Sequence, residues 1–134
     1  MEKLLKYFKN DQFAYNNNIE LIEASKGKSK ARMVVNDNHL NSLGMVHGGA
    51  IFTLADLAFA AAANSHGNVS VAINAHISYM KAAKKGILFA HAEEISINPK
   101  IATYTVKIMD EDQEIIAIFQ GMAYRKKDKI KFND

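Results

Sequence analysis

One stretch governs what this chain can become. Gly48-Gly49 opens it, and from Ala50 to Asn64 only Thr53, Asp56 and the closing Asn64 are polar. Alanine and leucine are good helix formers. A helix that is apolar on nearly every side must be buried. The spacing predicts such a helix over about residues 48–65, closed by the Asn64–Asn68 segment with Gly67. It is too short, and too interrupted by Asp56, to span a bilayer. The rest of the chain must therefore supply its cover.

That cover reads as strands. Val69, Val71, Ile73, Ala75, Ile77 and Tyr79 alternate with polar neighbours, a period of two. Residues 87–97, 101–109 and 114–124 follow, separated by Asn98-Pro99-Lys100 and by Asp110-Glu111-Asp112-Gln113. Short turns between long strands make an antiparallel meander. Before the helix, Ile19 to Val35 holds two short strands about the Lys26-Gly27-Lys28 turn. Residues 36–46 form a long polar loop, which in a small domain points to function. Residues 1–16 read as an N-terminal helix with Leu4, Leu5 and Phe8 on one side, and residues 125–134 as a basic tail. The class is α+β: one long central helix wrapped by a curved antiparallel sheet.

With 134 residues there is room for one domain, 1–134. No cysteine is present, which removes disulfides, thiolate metal sites and a Cys nucleophile, and suits a reducing, cytoplasmic setting. Lysines interrupt the N-terminus, so no signal peptide is expected. The net charge is +3, and basic residues cluster at 81–85 (Lys81, Lys84, Lys85) and at 125–131 (Arg125, Lys126, Lys127, Lys129, Lys131). These form either a solvated surface or a phosphate-binding patch. Without a recognition motif or interleaved aromatics, nucleic acid is not an expected partner.

Chemistry concentrates at 41–56. Two consecutive glycines cost helix stability. They make a tight turn, or they let a ligand approach the first N–H groups of a helix, which lack internal partners and favour negative charge. The second use is an oxyanion hole, with Gly48 as donor. Asp56 is either a satisfied structural carboxylate or, desolvated and without a nearby cation, a strengthened base. Side by side, the two features favour chemistry. Asp56 lies eight residues after Gly48, about 12 Å along the axis, too far for both to serve one carbonyl. Two antiparallel copies of the helix could bring them together, so a two-fold dimer with shared sites is expected. Asn41 and His47 flank the same turn and can orient a carbonyl or a water. His39, His66, His76 and His91 read as structural or surface residues. No carboxylate stands at metal-ligand spacing from His39 or His47, and no metal or cofactor is expected.

The pattern Asn41-x-x-Gly44-x-x-His47-Gly48-Gly49, followed by Phe52-Thr53-Leu54-Ala55-Asp56 and extending through Ala58-Phe59-Ala60, Asn64-Ser65 and Ile77–Met80, resembles the PaaI-type branch of the hotdog-fold thioesterases. The resemblance implies a five- or six-stranded sheet around one helix, dimers often paired into tetramers, and acyl-CoA as substrate. It implies Asp56 as general base or nucleophile, the Gly48 N–H on the thioester carbonyl, and His47 and Asn41 as positioning groups. Gly49 would admit the pantetheine arm, Phe59 and Met80 would border the acyl group, and Lys81 and Lys84 would meet phosphates. Two departures stand out. Met80-Lys81-Ala82 replaces a frequent Arg-Pro pair, and Ala72-Ile73 stand where some relatives carry a water-holding Ser or Thr, a part left here to Ser70 or Asn74. A non-catalytic acyl-CoA-binding module is the alternative. A hydratase pairing His47 with Asp56 fits the spacing less well.

Overall fold

The computed structural model describes residues 1–132. Helices α1 (Glu2–Phe8) and α2 (Gln12–Asn16) precede strands β1 (Ile19–Ser25) and β2 (Lys28–Val34). A 3-10 turn (Asp37–His39) leads to α3 (Gly48–Ala63). Strands β3 (Asn68–Tyr79), β4 (Ile87–Ile97), β5 (Ile101–Met109) and β6 (Ile115–Lys129) follow. All neighbours are antiparallel in one six-stranded sheet of order β1-β2-β4-β5-β6-β3.

The sheet's inner face explains how α3 sits so close. Ala31, Ala90, Ala92, Ala102, Ala117 and Ala123 are buried on the strands, opposite Ala55, Ala58 and Ala62 of the helix. Small residues on both sides leave the remaining volume to a few large ones. Phe59 packs at 5.7 Å from Tyr104 and 5.5 Å from Phe119, ring centre to ring centre. Gly121 makes room for it, since a methyl group there would stand 2.7 Å from the Phe59 ring. The Ser29 hydroxyl donates to the Ala58 carbonyl at 2.5 Å and ties the middle of α3 to β2.

Three expectations change. The N-terminal helix is two helices, broken where Asp11 caps α2 by accepting from the Ala14 N–H at 3.0 Å. Strand β6 runs on through residues 125–129 of the expected tail, with Ser70 opposite Arg125 and Asn68 opposite Lys129. The rest of that tail includes buried Ile130, and its residues 133–134 lie outside the described ones. The alternation along β3 is broken by a bulge between Ala72 and Asn74. Val71 pairs with exposed Tyr124, whereas Ile77 pairs with buried Phe119, so residues predicted for one face divide between two.

A second, smaller core joins Leu4 of α1, Ala24 and Ile130, with Phe8, Leu21, Val69 and Phe132 packed against it. Tyr7 meets Phe132 edge to face at 5.9 Å.

Candidate active site at the start of the central helix

The first turn of α3 is held from several directions. His47 is its N-cap, and the ring Nδ1 accepts from the Gly49 N–H at 2.8 Å. The neutral ring therefore carries its proton on Nε2, which is free to donate. The Gly49 N–H is used up by this cap, whereas the Gly48 N–H has no hydrogen-bond partner among the described residues. The Tyr79 hydroxyl donates to the Gly48 carbonyl at 2.9 Å, and Thr53 Oγ1 donates to the Gly49 carbonyl at 2.7 Å. Both glycines have local reasons. A methyl group on Gly48 would lie 3.1 Å from the Tyr79 hydroxyl, and one on Gly49 would lie 3.0 Å from His47 Nδ1. The space beside Gly49, expected to admit a pantetheine arm, is filled on that side by the capping imidazole.

Asn41 organises the turn ahead of the helix. Its Oδ1 accepts from the Leu43 and Met45 N–H groups at 2.9 and 3.1 Å. Its amide nitrogen has no partner among the described residues, and the residue borders a recess shared with Gly48, Tyr79, Met80 and Lys81. His39, read from sequence as a structural or surface residue, is a buried strut. Its Nδ1 accepts from the Asn36 N–H at 2.9 Å, and its Nε2 meets the Asn17 carbonyl at 2.5 Å. Its own carbonyl accepts from the His47 N–H at 2.7 Å, which joins the loop, α2 and the helix start.

Asp56 is not buried as its sequence setting implied. Gly49, Thr53, Asp56 and Ala60 follow helical spacing along the one side of α3 that the sheet leaves uncovered, and Asp56 is exposed in the single chain. No hydrogen bond or ion pair reaches its carboxylate among the described residues. Partial desolvation pushes its pKa above the usual carboxylate value, and the Asp11 carboxylate at the start of α2 adds to this. Its exposure limits how far that shift goes.

The remaining residues divide. Met80 is exposed at the recess beside Gly48. Phe59, expected to border the acyl group, is 2% exposed and belongs to the core. Lys81 is held by Glu114 and, at 3.9 Å, by Asp110. Lys85 pairs with Asp37 at 2.8 Å, while no carboxylate lies in ion-pair range of Lys84 among the described residues. The Ser70 hydroxyl, a possible water holder, is buried at the far end of α3, and Asn74 pairs with Met122 on the outer face of the sheet. Neither faces the helix start. Among the described residues no group of three or more His, Asp and Glu could hold a metal, and no helix is long and apolar enough to cross a membrane.

A six-stranded antiparallel sheet curled around one helix, with that helix's N-terminus opened by glycines, is the hotdog fold. Comparison with known proteins makes this specific. The family model of the thioesterase superfamily matches residues 43–117. A candidate esterase of Archaeoglobus fulgidus is 43% identical over 119 residues, 88% of this chain and 77% of that protein. The acyl-coenzyme A thioesterase PaaI of Escherichia coli is 32% identical over 119 residues, 88% of this chain and 85% of that one. The solved structure of E. coli PaaI superposes with a TM-score of 0.91 at 30% identity, covering 97% and 98% of the two chains. This chain belongs to the thioesterase superfamily, as a PaaI-type thioester hydrolase of the hotdog fold.

Proposed function

We propose that this chain hydrolyses acyl-CoA thioesters at sites shared between two copies, each site joining Asp56 of one copy to the Gly48 N–H of the other. The observation that carries this reading is the helix start, where His47 caps Gly49 and the Gly48 N–H is left without a hydrogen-bond partner among the described residues. A donor fixed in place before reaction stabilises the charge that grows on a thioester oxygen. The name of the E. coli relative, which acts on acyl-coenzyme A, supports the substrate class.

In this reading the carbonyl oxygen accepts from the Gly48 N–H, with His47 Nε2–H and the Asn41 amide as further donors. Asp56 takes a proton from water as the water oxygen bonds to the carbonyl carbon. The tetrahedral intermediate collapses, the C–S bond breaks, and the proton returns from Asp56 to the leaving thiolate. Free CoA and a carboxylic acid result. Direct attack by Asp56 through an anhydride is the other route to the same products. A carboxylate with a raised pKa is the stronger base. Lys81 is already paired with Glu114, so Lys84, which has no ion-pair partner among the described residues, is the lysine left to meet a CoA phosphate.

Two features support a second copy. Strand β3 is a sheet edge of 12 residues with Ile73 54% exposed, and long open edges call for a partner. The uncovered side of α3 carries Asp56. Pairing of such dimers into a tetramer belongs to the same proposal.

The test is thiol release from a panel of acyl-CoAs, with Asp56→Asn alongside. Wild type should turn over, and the variant should lose at least about a hundred-fold in kcat, the scale of a lost general base. Ionised Asp56 disfavours the folded state because its folded pKa is raised, so stability falls as pH rises through that value. Asp56→Asn should therefore melt at or above the wild-type temperature at pH 7. A fully active Asp56→Asn would remove Asp56 from the mechanism.

A further inference from the structure

We propose that Tyr79, at the end of β3, is a positioning residue for the thioester site, fixing through the Gly48 carbonyl where the Gly48 N–H points and where it stands relative to the sheet edge; the inference rests on the hydrolase reading above. Two peptide planes meet at Gly48. One holds the His47 carbonyl and the Gly48 N–H, and the other holds the Gly48 carbonyl and the Gly49 N–H. Only the φ and ψ of Gly48 join them, and glycine is freer in both than any other residue. The direction of the Gly48 N–H therefore depends on what anchors the two planes.

The first plane is anchored within the helix, where the His47 carbonyl accepts from the Ala50 and Ile51 N–H groups at 3.0 and 3.2 Å. The second is held at both ends. Its N–H donates to His47 Nδ1 at 2.8 Å, and its carbonyl accepts from the Tyr79 hydroxyl at 2.9 Å. The anchors from residues 47–51 travel with the helix start and keep its shape. Tyr79 comes from the sheet, 31 residues on, and sets its place. Strand β3 is also the open edge, where a second copy and its Asp56 would arrive in the proposed dimer. The hydroxyl thus ties the oxyanion donor to the strand that would bring its base. It has one proton and gives it to the Gly48 carbonyl, so it acts through the backbone and not as a donor to the substrate. Partial desolvation raises its pKa above the usual phenol value, which keeps that proton in place. Gly48 leaves room for the contact, since a methyl group there would stand 3.1 Å from the same oxygen.

Tyr79→Phe removes the hydroxyl and keeps the ring. On octanoyl-CoA and acetyl-CoA alike it should lower kcat by at least about ten-fold and leave KM within about two-fold, the mark of an interaction that counts in the transition state. A raised KM with kcat unchanged would make Tyr79 a wall of the recess, and no change in either would leave it without a role. Each overturns the proposal, as does a smaller assembly of the variant by light scattering. Infrared difference spectra of an isotope-labelled thioester carbonyl, bound in the Asp56→Asn background where substrate persists, read the donor directly. A hydrogen bond from Gly48 lowers the stretching frequency, and adding Tyr79→Phe should cut that shift by at least about half. The spectra separate this idea from the hydrolase reading. If wild type cleaves no acyl-CoA, hydrolysis fails, yet the positioning role stands when the shift falls with loss of the hydroxyl. If wild type turns over and the shift is the same with and without the hydroxyl, hydrolysis stands and the positioning role falls. A bound carbonyl with no shift in either protein overturns the positioning role as well.

Discussion

At the residue scale, the site depends on which polar atoms are already committed. His47 Nδ1 and the Gly49 N–H satisfy one another, and so define by subtraction which donor is left. The motif located these residues, but the division of labour between the glycines depends on a ring packed against a backbone, which no spacing reveals. Thr53, four residues after Gly49, had a local signal for its bond to that carbonyl. Tyr79 had none, because its partner Gly48 is 31 residues away. Asp11 is likewise invisible from the segment around Asp56, yet its charge helps to hold the Asp56 pKa up. Asp11→Asn removes that charge and keeps a good N-cap. Asp56 must be ionised to act, so loss of a neighbouring negative charge should move the acid limb of the pH–kcat profile to lower pH. A limb that stays in place would deny the coupling.

At the scale of elements, α3 and the strands β4 and β5 were legible because each carries its own period and its own turn. The breaks in that rule have physical causes. The β3 bulge inserts one residue and exchanges faces, so a regular pattern of apolar residues ends on both sides of the sheet. The basic residues of 125–129 read as a tail because charge alone does not disclose a strand that continues past its apolar core, paired with the start of β3. Asp56 looked buried because its neighbours are apolar; one open stripe along the helix cannot be told from sequence while the cover is unknown. Close helix–sheet contact also makes a prediction. Gly121→Ala would press a methyl group onto the Phe59 and Phe119 rings, at 2.7 and 2.9 Å. It should destabilise by about 1–3 kcal/mol, the usual cost of overpacking, measured by denaturant unfolding. A neutral result would mean that α3 rides more loosely on the sheet than its alanines imply.

At the scale of the whole molecule, the single chain is unfinished on two counts. Its β3 edge is open, and its proposed base stands about 12 Å along the helix from its proposed oxyanion donor. In the proposed shared site, one two-fold operation would meet both. Light scattering should therefore return a mass of two chains or a multiple, and the melting temperature should rise with protein concentration. A monomer with full activity would sink the shared site. The small second core has a consequence of another kind. Leu4 and Phe8 meet Ile130 and Phe132 there, and Tyr7 sets its ring edge to face against Phe132. Contacts between residues so far apart in the chain close it into a loop. Topologically, then, residues 4–132 form a ring closed by these contacts. A circular permutant, sealed by a short linker there and reopened in the exposed turn near Asp112, would keep every pairing of the sheet and the whole of the helix start, with only the order of synthesis rewritten.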